Sequence, residues 1–296
     1  MTRSHRRVGA VLGLLGAGVA LAGCASAAAD TRAMPRTGVN AALHAALPAA
    51  VRQRGEIRVI TDASYAPASS FAADGKTIVG FEPDLGAALG SVLGVRVVFA
   101  NDDFAKLPGM LGRGQADMIM SAMTDTADRE RTLDFVDYFS AGTSLVVQRG
   151  NPHGISDLES LCGQIVAVES GTVQAGLLAR LQAHCGASPI RVLSEPTNDD
   201  AILQVRIGKA AALPMDYPPA DVLTTDPHTR PNYQLASTAQ YEPGLYGIGF
   251  AKDNTALRTA VTAALRQLVT DGTYRDVLHK WDVLGGAVRT ISVNGA

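Results

Sequence analysis

Residues 82–100, EPDLGAALGSVLGVRVVFA, contain a helical segment followed directly by a strand, and this pair indicates the fold class. Residues 82–94 have the apolar spacing of a helix that ends at Gly94. Residues 95–100 have the apolar composition of a buried strand, and a similar strand, EIRVIT, precedes the helix at 56–61. Strands that alternate with helices predict an α/β fold with parallel sheets and crossover helices.

The alternation continues along the chain and predicts a second α/β half. This half begins after the apolar segment at 140–150, and its first element is a helix at 156–163 with Ser156 as the N-cap. The other predicted elements are helices at 106–114 and 173–185, two helices within 256–281 that break at Asp271 and Gly272, and strands at 116–121, 164–169, 190–193, 210–215 and 246–254. We therefore expect two sheets, one in each half.

The first 24 residues predict an exported protein. A basic segment, MTRSHRR, precedes the apolar VGAVLGLLGAGVAL, which is shorter than the ~20 residues of a membrane span, so we interpret residues 1–23 as a signal peptide. LAGC (21–24) resembles the bacterial lipobox, in which Cys24 carries lipid at the outer face of the membrane. The alternative is an ordinary signal peptide that contains a cysteine. Residues 24–50 are rich in alanine and predict a flexible, lipid-anchored tether with a short helix near 40–47.

The charge of the mature chain argues against nucleic acid as a partner. Lysine and arginine number 26, and three of the arginines lie in residues 1–23, so the mature chain has 23 basic against 28 acidic residues. No basic stripe runs along it. The six histidines are scattered, and the sequence has no metal-ligand spacing. We expect no metal and no cofactor.

Cys162 and Cys185 remain for one disulfide once Cys24 is assigned to lipid. An even number of cysteines in an exported protein usually pairs. Cys162 precedes the strand predicted at 164–169, and Cys185 ends the helix predicted at 173–185. A strand and the helix that returns beside it bring these two ends to one edge of a sheet. We predict a Cys162–Cys185 disulfide, and the alternative is two buried free thiols.

Polar residues follow four of the predicted strands, at the ends where open parallel sheets bind ligands. Asp62 follows EIRVIT, and Ser121 with its neighbours follows ADMIM. SGT (170–172) follows IVAVE, and Asp216 follows AAALPM. Helix caps and turns also collect such residues, which is the alternative for each position taken singly. The four together predict one binding site.

The charges of these residues are complementary to a zwitterion. Arg129 can hold a carboxylate with both arms of its guanidinium group, with the hydroxyls of Ser121 and Thr124 nearby. Gly171 permits close approach to the backbone, and the helix that starts after it offers free N–H groups to an anion. Asp216 would bind a cationic group, so the set suits an α-amino acid. The alternative for Arg129 is a surface ion pair with acidic neighbours in DTADRER.

Several segments resemble those of the bacterial extracellular solute-binding proteins of family 3, the polar amino-acid receptors of ABC importers. They are TDASYAP (61–67), GKTIVGFEPDLGAALG (75–90), ERTLDFVDYFSAG (130–142), YGIGFAKDN (246–254) and DGTYRDVLHKW (271–281). VAVESGT (166–172), with Cys162 before it, is similar to an actinobacterial subset. The resemblance implies a periplasmic-binding-protein-like fold, in which two α/β lobes joined by two hinge strands close on the ligand.

The resemblance also implies the domain organisation and the partners. The first lobe would span 51–141 plus 242–284, the second lobe 142–241, and a C-terminal tail 285–296. The protein would be a monomer held outside the cytoplasmic membrane by its lipid anchor. It would capture a free amino acid and deliver it to an ABC permease in the membrane, without catalysing a reaction.

By resemblance, one group of residues binds the α-carboxylate. Arg129 and Thr124 would do so together with the backbone N–H of Thr172 or Val173. Val173 stands where a second threonine is common, which leaves only backbone donation at that position.

A second group would surround the rest of the ligand. Asp216 and the backbone carbonyl near Ala122 would bind the α-ammonium group. Tyr65 and Phe104 would cover the ligand with aromatic faces, and the alternative for both is a place in the core. Asp62 would face the ligand side chain and favours a cationic or amide group over an acidic one.

Two further positions depart from the family pattern. Ala68 stands where phenylalanine is frequent, so we expect a wider pocket floor. Ala211 stands where another aspartate is frequent, at a position that we expect to lie away from the ligand.

Two other functions are possible on the same scaffold. A few secreted dehydratases resemble the family, and Asp62, Glu169 and Asp216 are the candidates for an acid or base. The sequence contains no G-x-S-x-G or H-E-x-x-H pattern, and no histidine lies at a strand end. A tethered sensor that presents its closed form to a signalling partner would use the same closing motion as a transport receptor.

Overall fold

The computed structural model describes residues 38–296. The predicted signal peptide, the lipid attachment site at Cys24 and the first part of the predicted tether lie outside the described residues, so they stay predictions. None of the helices within 38–296 is long and apolar enough to cross a membrane.

The described chain alternates between strands and helices as the sequence predicts. The strands are β1 (Glu56–Thr61), β2 (Ser64–Tyr65), β3 (Ser69–Phe71), β4 (Ile78–Val79), β5 (Arg96–Asn101), β6 (Met118–Ile119), β7 (Leu133–Gln148), β8 (Ile165–Glu169), β9 (Arg191–Glu195), β10 (Ala212–Asp216), β11 (Tyr233–Leu235) and β12 (Tyr241–Ala251). The helices are α1 (Ala41–Ala46), α2 (Ala49–Arg54), α3 (Phe81–Leu93), α4 (Leu107–Gly112), α5 (Val173–Leu181), α6 (Asn198–Arg206), α7 (Tyr217–Thr225), α8 (Thr255–Thr270) and α9 (Thr273–Lys280).

Helix α3 illustrates how the local sequence sets an element. Its side chains at Leu85, Leu89 and Val92 are spaced for one helix face, and all three are fully buried in the core. Gly94 ends the helix in the left-handed conformation, with φ of 66°. The end predicted at Gly94 is therefore confirmed.

The strands described in residues 38–296 form one continuous nine-stranded sheet and one small sheet, β2-β3-β4. The order in the large sheet is β5-β1-β6-β12-β7-β10-β8-β9, and β11 also pairs with β7. Strand β1 is parallel to β5 and β6, and β8 is parallel to β9 and β10. The expectation of two separate sheets is wrong, because β7 pairs with β12 over one part of its length and with β10 over the other.

The apolar core nevertheless divides between two halves. One half buries residues from Leu47 to Phe139 and from Tyr246 to Ile291, and the other buries residues from Leu145 to Tyr233. We call these halves the first and the second lobe. Strands β7 and β12 pass from one lobe to the other, and the boundaries predicted at 141/142 and 241/242 fall within these two strands.

The start of the described chain is packed on the first lobe. Asn40 caps α1 by accepting a hydrogen bond from the Leu43 N–H, and its Nδ2 donates to Gln267 of α8 over 2.9 Å. Leu47 and Val51 are buried, with 2% and 4% of their surface exposed. The short helix predicted near 40–47 is confirmed. The flexible tether predicted for 24–50 is wrong over residues 40–50, because these residues pack against the first lobe. Their alanine-rich composition does not distinguish a packed segment from a flexible one.

The helix predicted at 156–163 is replaced by a single 3₁₀ turn, Glu159–Leu161. Ser156 is not a cap. Instead Asp157 Oδ1 accepts from the Ser160 N–H over 2.9 Å, and the Ser160 hydroxyl donates to the Asp157 carbonyl over 2.6 Å. These local side-chain bonds hold the backbone in a turn and compete with helix formation.

The predicted disulfide is confirmed. Cys162 and Cys185 are bonded, with 5.2 Å between their Cα atoms and a sequence separation of 23. Cys162 stands just before β8, and Cys185 follows a 3₁₀ turn that extends α5. The bond therefore joins the start of one strand to the end of the helix that returns beside it.

The predicted C-terminal tail lies along β7. Bridges join Ala287 to Phe139 and Val293 to Val136. The Asp137 N–H donates to the Ser292 carbonyl over 3.1 Å. The tail therefore covers a strand that both lobes share.

Candidate functional site

The carboxyl ends of β1, β6, β8 and β10 converge on one cavity between the lobes. It contains about 310 Å³ of empty space, including its opening to solvent. The residues that line it are Asp62, Tyr65, Phe104, Ser121, Ala122, Thr124, Arg129, Glu169, Thr172, Val173, Gln174 and Asp216. All of the predicted ligand-binding residues except Gly171 are in this lining. Their contacts with a ligand stay a prediction.

Gly171 lies beside the cavity and shapes its rim. Its carbonyl accepts a hydrogen bond from Arg129 Nη2 over 2.9 Å. Its φ of +79° is in the left-handed region, and a Cβ at this position would lie 3.0 Å from Ala105 of the first lobe. Only glycine satisfies both the backbone conformation and the close approach of the two lobes.

Asp62 is fixed at the end of β1 by three donors. Its Oδ1 accepts from the N–H and the hydroxyl of Ser64, over 2.8 and 2.6 Å, and its Oδ2 accepts from the Phe104 N–H over 3.1 Å. The Asp62 N–H donates to Ser121 Oγ over 2.8 Å. The Ser121 hydroxyl, which the sequence assigned to the ligand carboxylate, therefore supports Asp62 in this structure.

Arg129 spans the opening between the lobes. Its Nη1 donates to the Thr124 carbonyl over 2.7 Å, and its guanidinium carbon lies 5.4 Å from the centre of the Phe104 ring. Among the ion pairs of residues 38–296 none includes Arg129, and the pair within DTADRER joins Arg131 to Asp128. Burial lowers the pKa of Arg129 to about 10, against the opposing effect of Asp216 and other acidic groups. It therefore stays charged at neutral pH and lacks a carboxylate partner.

The start of α5 supplies backbone donors next to Arg129. The Thr172 hydroxyl accepts from the Ala175 N–H over 3.2 Å and donates to the Glu169 carbonyl over 2.8 Å. The N–H groups in the first turn of a helix have no intrahelical partner. Those of Val173 and Gln174 are therefore available to an anion at the positive end of the helix.

Asp216 is the last residue of β10 and precedes α7. It lines the cavity from the second lobe. Only 5% of its surface is exposed. Its Oδ1 accepts from Gln174 Nε2 over 2.8 Å, and its Oδ2 accepts from the Tyr65 hydroxyl over 3.0 Å. Burial raises the pKa of Asp216 to about 6, while these hydrogen bonds and the charge of Arg129 oppose the rise. The side chain is therefore a buried carboxylate at neutral pH.

Ala122 has a strained backbone at the cavity wall. Its φ of 47° is unusual for a residue other than glycine. Its N–H donates over 2.6 Å to Glu82 Oε1, and that buried carboxyl also accepts from Ser69 and Tyr138. A buried acid of the first lobe thus holds the loop after β6 in the conformation that brings Ala122 to the cavity.

Two cavity residues were absent from the predicted ligand-binding set. Glu169 is the last residue of β8, and the strand-end position that selected Asp62 and Asp216 could have selected it as well. Gln174 lies in the first turn of α5, and it reaches Asp216 and the Thr143 hydroxyl with the same amide nitrogen. No pattern in the sequence distinguishes this glutamine from a surface residue.

Glu169 differs from the other cavity acids in its surroundings. It is 5% exposed, and its Oε1 has no hydrogen-bond partner among the described residues. Burial, followed by the repulsion of Asp62, a hydrogen bond from the protonated carboxyl group to Asp62, and the repulsion of Asp216 and Asp199, raises the pKa of Glu169 to about 9. Its carboxyl group is therefore protonated at neutral pH.

Of the three departures from the family pattern, Val173 lines the cavity, and Ala68 and Ala211 lie outside the lining. Ala68 is 2% exposed and packs in the core of the first lobe, and the expectation of a wider pocket floor stays a prediction. Ala211 is buried in the core of the second lobe.

Most of the chain is similar to known binding proteins. The model of the bacterial extracellular solute-binding proteins, family 3, matches residues 57–284. The arginine-binding protein ArgT of Corynebacterium glutamicum is 27% identical over 257 residues, which cover 85% of this chain and 82% of that protein. An ancestral arginine-binding protein with bound arginine is 29% identical, with a TM-score of 0.71 over 77% of this chain and 98% of that chain. An ancestral amino-acid-binding protein, a precursor of cyclohexadienyl dehydratase, is 28% identical, with a TM-score of 0.69 over 78% of this chain and 97% of that chain.

Proposed function

Because this chain belongs to the bacterial extracellular solute-binding proteins, family 3, we propose that it captures a free α-amino acid between its lobes and delivers it to an ABC importer. The family and the two-lobed α/β fold predicted from the sequence are confirmed. The observation that carries the proposal is the pair of Arg129 and Asp216. They line one narrow cavity, they carry opposite charges, and neither belongs to an ion pair among the described residues.

The carboxylate of the amino acid binds between Arg129 and the start of α5. Arg129 supplies a planar, charged fork, and the backbone N–H of Thr172 or Val173 supplies a donor at the positive end of a helix. Thr124 lines the cavity next to Arg129, and its hydroxyl is a further donor. The ligand carboxylate neutralises the guanidinium group of Arg129, which has no ion-pair partner among the described residues.

The ammonium group of the amino acid binds to Asp216. Gln174 and Tyr65 occupy one lone pair on each oxygen of this carboxylate, and each oxygen retains a further acceptor position. The backbone carbonyl of Ala122 contributes from the opposite lobe. Tyr65 and Phe104 cover the ligand, and Asp62 faces its side chain.

Closure of the lobes signals to the importer that the ligand is bound. Contacts across the cavity already join the lobes, since Asn198 of the second lobe donates to Ser64 of the first lobe from its N–H and its Nδ2, over 3.1 and 3.2 Å. A ligand that bridges Arg129 and Asp216 adds to these contacts and shifts the population toward the closed form. The importer recognises that form.

A ligand panel tests this function. The mature chain is unfolded, freed of bound ligand and refolded, and its thermal unfolding is then measured with each of the twenty amino acids. A ligand at 100 times its Kd adds about 2.7 kcal/mol, which shifts Tm by roughly 2–4 °C for a protein of this size. For the amino acid that shifts Tm, the N-acetyl derivative and the decarboxylated amine are controls. Equal shifts by these derivatives would contradict the zwitterion site.

The location follows from the family and from the predicted signal. The protein acts outside the cytoplasmic membrane, where lipid on Cys24 holds it near its permease as a monomer. Labelling of cells with an alkyne fatty acid tests the anchor. Label on the parent protein and none on a Cys24→Ser variant is the expected outcome.

The dehydratase alternative has one supporting observation. Glu169 is a buried acid that is protonated at neutral pH, which is the state that a general acid requires. Recovery of the bound compound after prolonged incubation distinguishes the two functions, because a receptor returns the ligand unchanged. The sensor alternative predicts co-purification with a signalling partner in place of a permease.

A further inference from the structure

The second lobe carries an acid that neither clamp of the zwitterion uses. Glu169 enters the cavity from the end of β8, and its Oε1 is buried without a hydrogen-bond partner among the described residues. A buried polar atom without a partner is destabilising, and such groups in native proteins are usually matched by a ligand, an ion or water.

Glu169 faces Asp62, which enters the same cavity from the first lobe. Asp62 is held by donors from Ser64 and Phe104 and keeps a fixed position. No ion pair of residues 38–296 includes Asp62, Glu169 or Asp216, so the cavity walls hold three buried acids and only Arg129 as a cation. An excess of negative charge in a buried site favours a cation.

The titratable groups around Glu169 come from several elements. They are Asp62 after β1, Tyr65 on β2, Asp216 on β10 and Asp199 on α6, and Glu195 is its register partner on β9. Asp62, Asp216 and Asp199 repel a charge on Glu169, and Tyr65 offers no compensating charge. A proton on Glu169 relieves this repulsion when no cation is present, and a ligand cation can replace that proton.

We propose that Glu169 and Asp62 form a subsite for a cationic side chain, and that Glu169 releases a proton to solvent when that cation binds. The inference rests on the proposed function, since the clamp of Arg129 and Asp216 orients the amino acid so that its side chain points to this pair. The ligand class is a basic amino acid with a guanidinium or amine group. A neutral amino acid of the same shape binds without release of the proton.

Isothermal titration calorimetry with arginine and citrulline tests the subsite. Citrulline has nearly the shape of arginine with a neutral side chain, so the pair isolates the effect of charge. Titrations at pH 7.5 in phosphate and in Tris, whose ionisation enthalpies differ, give the number of protons released. We expect close to one proton per arginine and none per citrulline. Arginine affinity should rise as the pH increases from 6 to 9, and citrulline affinity should not.

A Glu169→Gln variant completes the test, with Glu195→Gln as the matched control. Glu169→Gln should abolish proton release and weaken arginine at least tenfold, and it should change citrulline affinity less than threefold. Glu195→Gln should behave as the parent. Binding of arginine without proton release, or equal affinity for both ligands, overturns the subsite and leaves the proposed function intact. If neither ligand nor any of the twenty amino acids binds, the proposed function fails and the subsite fails with it.

Discussion

Tyr65 and Asp216 are joined by two hydrogen bonds across the cavity, although they lie 151 residues apart in the chain. The Tyr65 hydroxyl donates to Asp216 Oδ2 over 3.0 Å, and the Asp216 N–H donates to the Tyr65 oxygen over 3.0 Å. One side chain of the first lobe thus holds both the carboxylate and the backbone of Asp216, the residue proposed to bind the ammonium group. The lobes are therefore connected through a residue that lines the cavity.

A Tyr65→Phe substitution removes both bonds and keeps the aromatic ring. A hydrogen bond to a charged group contributes about 1.5–3 kcal/mol, so we expect ligand affinity to fall roughly 10- to 100-fold, as measured by calorimetry. Tyr217→Phe is the control, because Tyr217 bonds to Asp221 on the surface of α7. Equal affinities of Tyr65→Phe and the parent would show that the interlobe bonds do not contribute to binding.

An Arg129→Ala substitution leaves the ligand carboxylate without its charged partner. Removal of one member of a buried ion pair costs about 3–5 kcal/mol, so we expect binding of every amino acid to become barely detectable by calorimetry. Arg131→Ala provides the comparison, since Arg131 is exposed and pairs with Asp128. Parent-like affinity of Arg129→Ala would contradict the carboxylate clamp.

A Gly171→Ala substitution tests the close approach of the lobes. The new Cβ would lie 3.0 Å from Ala105 of the opposite lobe, at a φ of +79°. Affinity should fall because the closed form is obstructed. Gly154→Ala shares the left-handed backbone, with φ of +64°, and meets no atom within 4 Å. Both substitutions should lower stability by about 1 kcal/mol, and only Gly171→Ala should weaken binding.

Loss of the disulfide should lower stability and preserve binding. The bond closes a loop between Cys162 and Cys185, 23 residues apart, which corresponds to about 3 kcal/mol in the chain-entropy model. Both cysteines lie away from the cavity, near the start of β8 and after α5. Thermal unfolding of the Cys162→Ser/Cys185→Ser variant should show a lower Tm, while calorimetry gives the parent affinity. A variant as stable as the parent would contradict this expectation.

The stability of the ligand-free protein should decrease as the pH rises from about 4.5 to about 9. Burial raises the pKa of Glu169 to about 9 and that of Asp216 to about 6. The folded protein therefore keeps protons that the unfolded chain has lost, and this contribution is complete below the unfolded pKa and disappears above the folded pKa. A tenfold difference in acid dissociation constant between the folded and the unfolded chain corresponds to about 1.4 kcal/mol of unfolding free energy. Urea unfolding at a series of pH values measures the slope.

Two substitutions separate the contributions to that slope. Glu169→Gln should remove the decrease between pH 7 and 9, since burial and the neighbouring acids raise the pKa of Glu169 to about 9. Asp125→Asn should reduce the decrease below pH 7, because burial and the charges of Asp137 and Glu130 raise the pKa of Asp125 to about 7. A slope that neither substitution alters would show that other groups control the pH dependence.

The sequence alone determined many of the elements and most of the cavity lining, although it did not predict α6 and α7. The end of α3 at Gly94 and the break at Asp271 and Gly272 depend only on residues a few positions away. Short sequence patterns are therefore enough to predict them. Asp62 and Asp216 were found for a related reason. Polar residues that directly follow buried strands must lie where the strands end, and parallel strands end at one edge.

Only the tertiary structure decided how those residues are used. Ser121 supports Asp62 because the ends of β6 and β1 lie side by side, 59 residues apart in the chain. The sheet is continuous because β7 and β12 are long enough to serve both lobes. Glu169 holds a proton because it is buried and because Asp62, from the other lobe, repels its charge. Burial and the charge of a residue distant in the chain determine the protonation state of this acid. Neither can be predicted from the residues that surround it in the sequence.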